Sequence, residues 1–254
     1  MKPGLEGAAV PEGLAPDVFS FFERRPAALC RECWLGLEPA RGTSPLFAGR
    51  GMTPMLVTPF YTNAILISLI RFLKFEGGVT AARPLAWWMA CAILRCGGPI
   101  DDEALLVPVP LHRRRRRRRG YNQSALLAAA IARSVGLRCD TRALVRHRPT
   151  VSQTRLDDGK RDSNVRGAFR VADRSGVSGG HIILVDDLVT SGSTVRSCVE
   201  SMREAEPARV TILAAGRRKH QSYIEIKPGT SVPARRSKPG RAAAARIGRP
   251  TGSP

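Results

Sequence analysis

His181-Ile-Ile-Leu-Val-Asp-Asp-Leu-Val-Thr-Ser-Gly-Ser-Thr194 runs from an apolar stretch through two adjacent carboxylates into a loop of Thr, Ser and Gly, after which a helical pattern begins. A short β-branched run bounded by turn residues has the length of a buried strand, not of a helix. In an open parallel sheet, ligands collect beyond the carboxyl ends of the strands, which is where this reading puts Asp186 and Asp187. The loop residues Thr190, Ser191, Gly192, Ser193 and Thr194 suit a phosphate. Small residues let backbone N–H groups close around an anion, the hydroxyls add donors, and the following helix N-terminus adds partial positive charge. Carboxylates beside a phosphate would repel it. The conflict resolves if Asp186 and Asp187 face the hydroxyls of a sugar whose phosphate lies further along the loop, with a metal ion nearby.

Working outward, Ala104 to Val109 reads as a second buried strand, Gln123 to Val135 as an alanine-rich helix, Ser193 to Ala205 as a helix and Arg209 to Ala215 as a closing strand. Strand and helix in alternation imply a parallel sheet with right-handed crossovers, so the fold class is α/β. Two further helices are expected near Asn63 to Phe75 and Ala81 to Arg95, the first closed by the glycines of Lys74-Phe-Glu-Gly-Gly78. The 254 residues divide on this reading into a Pro/Gly-punctuated lead-in (1–27), an N-terminal segment (28–98), a ligand-binding domain (99–216) and a basic tail (217–254) too polar to pack.

Composition is that of a soluble globular chain, 43% hydrophobic and 24% charged, yet the net charge is +20. That excess is concentrated in the seven arginines Arg113 to Arg119 and in the tail, where ten basic residues face Glu225 alone. A bulk argument for nucleic-acid binding is weakened accordingly. The N-terminus lacks the cationic start and apolar stretch of a secretory signal. The most apolar windows, Phe60 to Ile70 and Pro84 to Leu94, are about eleven residues long against the roughly 20 that span a bilayer. No membrane span is expected. Six cysteines with one C-x-x-C spacing do not make a disulfide scaffold, and a cytoplasmic location fits.

The Asp-Asp pair and hydroxyl loop resemble the 5-phosphoribosyl-1-pyrophosphate (PRPP) motif of type I phosphoribosyltransferases. Val107-Pro-Val-Pro-Leu-His112, Arg119-Gly-Tyr-Asn-Gln123, Gln153, Arg161, Asn164-Val165 and Gly167-Ala168-Phe169 narrow the similarity to the ComF/GntX family, over about Ala28 to Gly216. The resemblance implies a type I phosphoribosyltransferase-like parallel sheet flanked by helices. It implies Asp186 and Asp187 on the ribose, Thr190 to Thr194 on the 5-phosphate, and Pro110, Leu111, His112 and Arg113 at the pyrophosphate. Arg146 to Arg166 would be a flexible loop carrying Arg155, Lys160 and Arg161 onto the pyrophosphate. Mg2+ would accompany PRPP, and the activity would be phosphoribosyl transfer to an unidentified nucleobase acceptor, a glycosyltransferase reaction of nucleoside metabolism. No catalytic acid or base is identifiable.

The same family carries an alternative, a non-catalytic accessory in competence-related DNA uptake. There Arg113 to Arg119 and the tail would touch nucleic acid, because adjacent guanidiniums attract polyanions by releasing counterions. The plain reading of that run is a solvated turn. Cys30 and Cys33 resemble half of the family's zinc ribbon, but Phe47 and Arg50 stand where the second pair of ligands belongs, and zinc is not expected. Trp87, Trp88, Cys139 and Cys198 read as core.

Overall fold

The computed structural model describes residues 31–40, 42–46, 53–75, 78–96, 100–148 and 165–219. Its centre is set by the uninterrupted apolar runs. β4 (Leu105–Pro108) is buried throughout, and β8 (His181–Val189) and β9 (Arg209–Arg217) each have a single half-buried residue. Strands buried on both faces are what a parallel sheet covered by helices requires.

In chain order the remaining elements are α1 (Arg31–Leu35), β1 (Thr43–Pro45), β2 (Met55–Val57), β3 (Phe60–Tyr61), α2 (Ala64–Phe75), α3 (Ala82–Cys96), α4 (Arg113–Arg119), α5 (Gln123–Val135), β5 (Arg138–Cys139), β6 (Leu144–Arg146), β7 (Phe169–Val171) and α6 (Ser193–Met202). The main sheet has the order β1-β2-β9-β8-β4-β5, with β3 also pairing to β9. Every pairing in it is parallel except β1 with β2. β6 and β7 form a separate antiparallel pair. This is the type I phosphoribosyltransferase-like α/β fold that the resemblance implies.

Alternation along β8 divides the core in two. Ile183 and Val185 join a cluster with Leu66, Leu69 and Leu73 of α2, Leu85 and Met89 of α3, and Leu127 and Ile131 of α5. Ile182 and Leu184 join another with Val195, Cys198 and Val199 of α6 and with Leu144 and Phe169 of the β6–β7 pair. Because side chains in a strand alternate between faces, the next two residues inherit the division: Asp186 follows Leu184 and Asp187 follows Val185. The described residues between 31 and 96 share this sheet and core, through β2 and β3 on β9 and through α2 and α3.

Two expectations are corrected. Arg113 to Arg119 is a capped helix rather than a turn. His112 Nδ1 accepts from the Arg114 N–H at 3.3 Å at its start, and Gly120, at φ 86°, donates its N–H to Arg116 O at 2.8 Å at its end. Arginine is a good helix former, and five of the seven guanidiniums are exposed, so water and ions screen their repulsion. Arg217, expected to begin the tail, is instead the buried last residue of β9, donating to Ser44 Oγ and lying 5.4 Å from the Tyr61 ring. Among the described residues no helix is long and apolar enough to cross a membrane.

Candidate functional site

Register brings the expected pieces to one edge. Pro108, the last residue of β4, pairs with Val185, and the Val109 N–H donates to Val185 O at 2.9 Å, so the chain leaves β4 beside the first acid of β8. Pro110 is buried, Leu111 and His112 are half-buried, and Arg113 is exposed at the start of α4. Asn122 ties this corner together, donating from Nδ2 to Val109 O at 3.0 Å while its Oδ1 accepts from the Ser124 N–H at 3.2 Å to cap α5.

The two acids have different surroundings. Asp187, 4% exposed, is held through both oxygens: Lys74 Nζ lies 2.9 Å from Oδ1, and Gln123 Nε2 donates to Oδ2 at 2.7 Å. Gln123 Oε1 in turn accepts from Arg119. Asp186, 8% exposed, receives its hydrogen bonds on Oδ1, from Ser124 Oγ at 3.0 Å and from the Asp187 N–H at 2.9 Å. Burial, and next the charge of Asp187, push the Asp186 carboxyl up to about 7, against the opposing pull of Lys74 and the two hydrogen bonds.

On the Asp186 face, Arg146 at the end of β6 lies 5.2 Å from the Phe169 ring. Burial and the neighbouring Arg115 lower its guanidinium to about 10, while Cys198 and Asp186 act in the opposite sense. Burial raises the Cys198 thiol well above its ordinary value, with Asp186 adding to the effect, so this thiol stays protonated. His112 is held below its usual range by desolvation and then by Arg146 and the adjoining arginines, consistent with a neutral ring that accepts at Nδ1.

Beyond β8, Thr190 to Thr194 turn into α6. Gly192 adopts φ 77°, a left-handed conformation that glycine takes without strain, and the Ser191 and Ser193 hydroxyls lie 2.7 Å apart. The turn aims the backbone N–H groups at the start of a ten-residue helix, a geometry suited to an anion.

The structure therefore gathers Asp186, Asp187, Pro110 to Arg113 and Thr190 to Thr194 at the carboxyl edge of the sheet. Arg155, Lys160, Arg161 and Cys30 lie outside the described residues, as do Phe47 and Arg50; Cys33 lies in α1. Among the described residues no three His, Cys, Asp or Glu side chains cluster as a metal site. Sequence reasoning missed Lys74, Gln123, Ser124 and Arg146. The first three adjoin or lie within quoted motifs, but their long-range partners carry no sequence signal.

A family of phosphoribosyl transferase domains matches residues 122–233. A DNA utilization protein, YhgH, of Salmonella typhi is 33% identical over 199 residues, covering 74% of this chain and 84% of that protein. Competence protein F of Haemophilus influenzae is 26% identical over 153 residues, 59% of this chain and 66% of that one. Among solved structures, a glutamine PRPP amidotransferase from B. subtilis aligns at a TM-score of 0.37 and 18% identity, over 57% of this chain but only 30% of its own. A Staphylococcus aureus hypoxanthine phosphoribosyltransferase aligns at 0.31 and 12%, over 68% and 72%.

Proposed function

The chain belongs to the ComF/GntX family of proteins with a type I phosphoribosyltransferase-like fold, and from that premise we propose that it binds PRPP and transfers its phosphoribosyl group. The observation that carries the proposal is the position of Asp186. Its Oδ1 is held by Ser124 and by backbone, leaving Oδ2 for a ligand between the β4–α4 connection and the hydroxyl loop. A carboxylate accepts from sugar hydroxyls, and the N–H groups around Gly192 receive a phosphate on the same sugar. Asp187, fixed by Lys74 and Gln123, acts as the support that orients the strand end. Cytoplasmic PRPP is the substrate source in this reading.

Mg2+ fits this donor set in one way only. With a single carboxylate oxygen open and no acidic cluster among the described residues, the ion would be held by Asp186 together with the oxygens of the ligand, as this hard cation commonly is. When bound it would offset the charge of departing pyrophosphate. Arg113 at the start of α4 and Arg146 at the end of β6, whose charge reaches His112, contribute positive charge toward the same group.

Calorimetry with PRPP and Mg2+ tests the binding. Asp186→Asn should weaken it about tenfold or more, since hydrogen bonds to a charged acceptor contribute about 1.5–3 kcal/mol. Equal affinity in the variant would remove the site assignment. Screening nucleobases for pyrophosphate release then asks for the acceptor.

A second reading, an accessory to DNA uptake, rests on the five exposed guanidiniums of α4 and on the names of the relatives. Replacing Arg114, Arg116 and Arg117 with Ser should flatten the salt dependence of DNA binding by about 0.9 for each phosphate no longer neutralised. No DNA binding at low salt would end this reading.

A further inference from the structure

On the Asp187 face of β8, α2 and α4 enclose a cavity of about 220 Å³ lined by Lys74, Phe75, Arg115, Arg118, Arg119 and Tyr121. Four cations converge on it, and no described carboxylate lines it. Packing four positive side chains together is unfavourable. Burial and the nearby Arg118 lower Arg115, and burial is also the main influence lowering Arg119. An anion placed among them relieves the repulsion and gains charge-assisted hydrogen bonds.

The cavity is not purely ionic. Phe75 is 63% exposed at its rim, an unusual position for a phenyl ring, with the Arg119 guanidinium 5.0 Å from the ring centroid. An exposed ring backed by a guanidinium is a stacking platform for a planar base, and the surrounding cations suit the phosphates attached to it. We infer that this cavity is a nucleotide site, with the base on Phe75 and the phosphates between Lys74, Arg118 and Arg119.

Two of its cations also hold the acid behind it. Lys74 contacts Asp187 directly at 2.9 Å, and Arg119 reaches it through Gln123. A phosphate that draws Lys74 and Arg119 outward loosens both contacts to Asp187, so nucleotide bound here alters the neighbouring site. This coupling, unlike the nucleotide site itself, rests on the PRPP reading.

The test is calorimetry on the full chain with ADP, UDP, inorganic diphosphate and an oligothymidylate. ADP and UDP should bind saturably. Phe75→Ala should weaken both about tenfold, the size of one base–aromatic stack, and leave inorganic diphosphate unchanged. Arg118→Ser should weaken all three. Both side chains are exposed, so both variants should melt as the parent does. Inorganic diphosphate binding as tightly as ADP, with Phe75→Ala silent, would reduce the cavity to an anion patch and overturn the nucleotide assignment. Binding by the oligonucleotide alone would overturn it too, as would ADP binding that PRPP abolishes while both variants leave it unaltered. ADP should shift PRPP affinity in the parent and not in Arg118→Ser. Absence of PRPP binding with the Phe75 effect intact would defeat the functional reading and leave the nucleotide site standing.

Discussion

Asp186 and Asp187 are the same residue type, adjacent on one strand and nearly equally buried, yet they have opposite environments because a strand turns successive side chains to opposite faces. Asp187 points among α2, α3 and α5, where a lysine from residues 28–98 and a glutamine from α5 occupy both oxygens. Asp186 lies on the side of α6 and the β6–β7 pair, and one of its oxygens takes both hydrogen bonds, from Ser124 at the start of α5 and from the Asp187 N–H. Burial without a direct cationic contact raises the carboxyl of Asp186. The contrast separates two environments that the motif's spelling merges: side chains tie both oxygens of Asp187, whereas Asp186 takes its hydrogen bonds on one oxygen alone.

The largest effect should come from breaking the tie. Lys74→Met removes the cation and leaves a nearly buried carboxylate with only Gln123, which should lower stability by about 3 kcal/mol, at the lower end for a buried pair because Lys74 is partly solvated. Denaturant unfolding measures this. A loss under about 1 kcal/mol would mean that water already reaches Asp187, and the contrast between the faces would fail.

Next in size is a pH effect on the other acid. Asp186 keeps its proton in the folded chain up to about 7 against 3.8 for the free group. Between those values the folded state binds more protons than the unfolded state, so stability falls as pH rises through that window. Asp186→Asn abolishes this dependence and should be about 2 kcal/mol less penalised than the parent on moving from about pH 5 to about pH 8. Parallel stability curves for the two proteins would show that Asp186 ionises freely at low pH.

Much of this arrangement was legible in the chain itself. Gln123 to Val135 coincides with α5, and the strands and helices from 181 to 217 follow the apolar periodicity closely, because continuous β-branched runs have few other places to go. The edge that gathers Asp186 with the hydroxyl loop follows from the same parallel topology. The partition of the two acids also lay within reach, since alternation from Leu184 and Val185 fixes it. What could not be read was the partner of each, because Lys74 and Asp187 are 113 residues apart and no local pattern encodes such a contact. The arginine helix was missed for a different reason. A run of one residue type has no hydrophobic period, and its boundaries come from single caps at His112 and Gly120.

The smallest expected effect isolates burial from chemistry. Arg174 and Glu204 form an ion pair at 3.2 Å, close to the 2.9 Å of Lys74 and Asp187, but their side chains are 66% and 79% exposed against 24% and 5%. At such exposure each group is already well hydrated, and holding two long side chains in one geometry offsets most of the attraction. A double-mutant cycle with Arg174→Ala and Glu204→Ala should give a coupling of about 0.5 kcal/mol or less, fading in about 1 M salt. The corresponding cycle with Lys74→Met and Asp187→Leu should give a coupling several times larger and less sensitive to added salt, because the Asp187 side chain is only 5% exposed and a partly buried pair is screened less than an exposed one. Equal couplings in the two cycles would mean that depth in the sheet does not set the strength of the Asp187 tie, and the contrast between the adjacent acids would then need a cause other than burial.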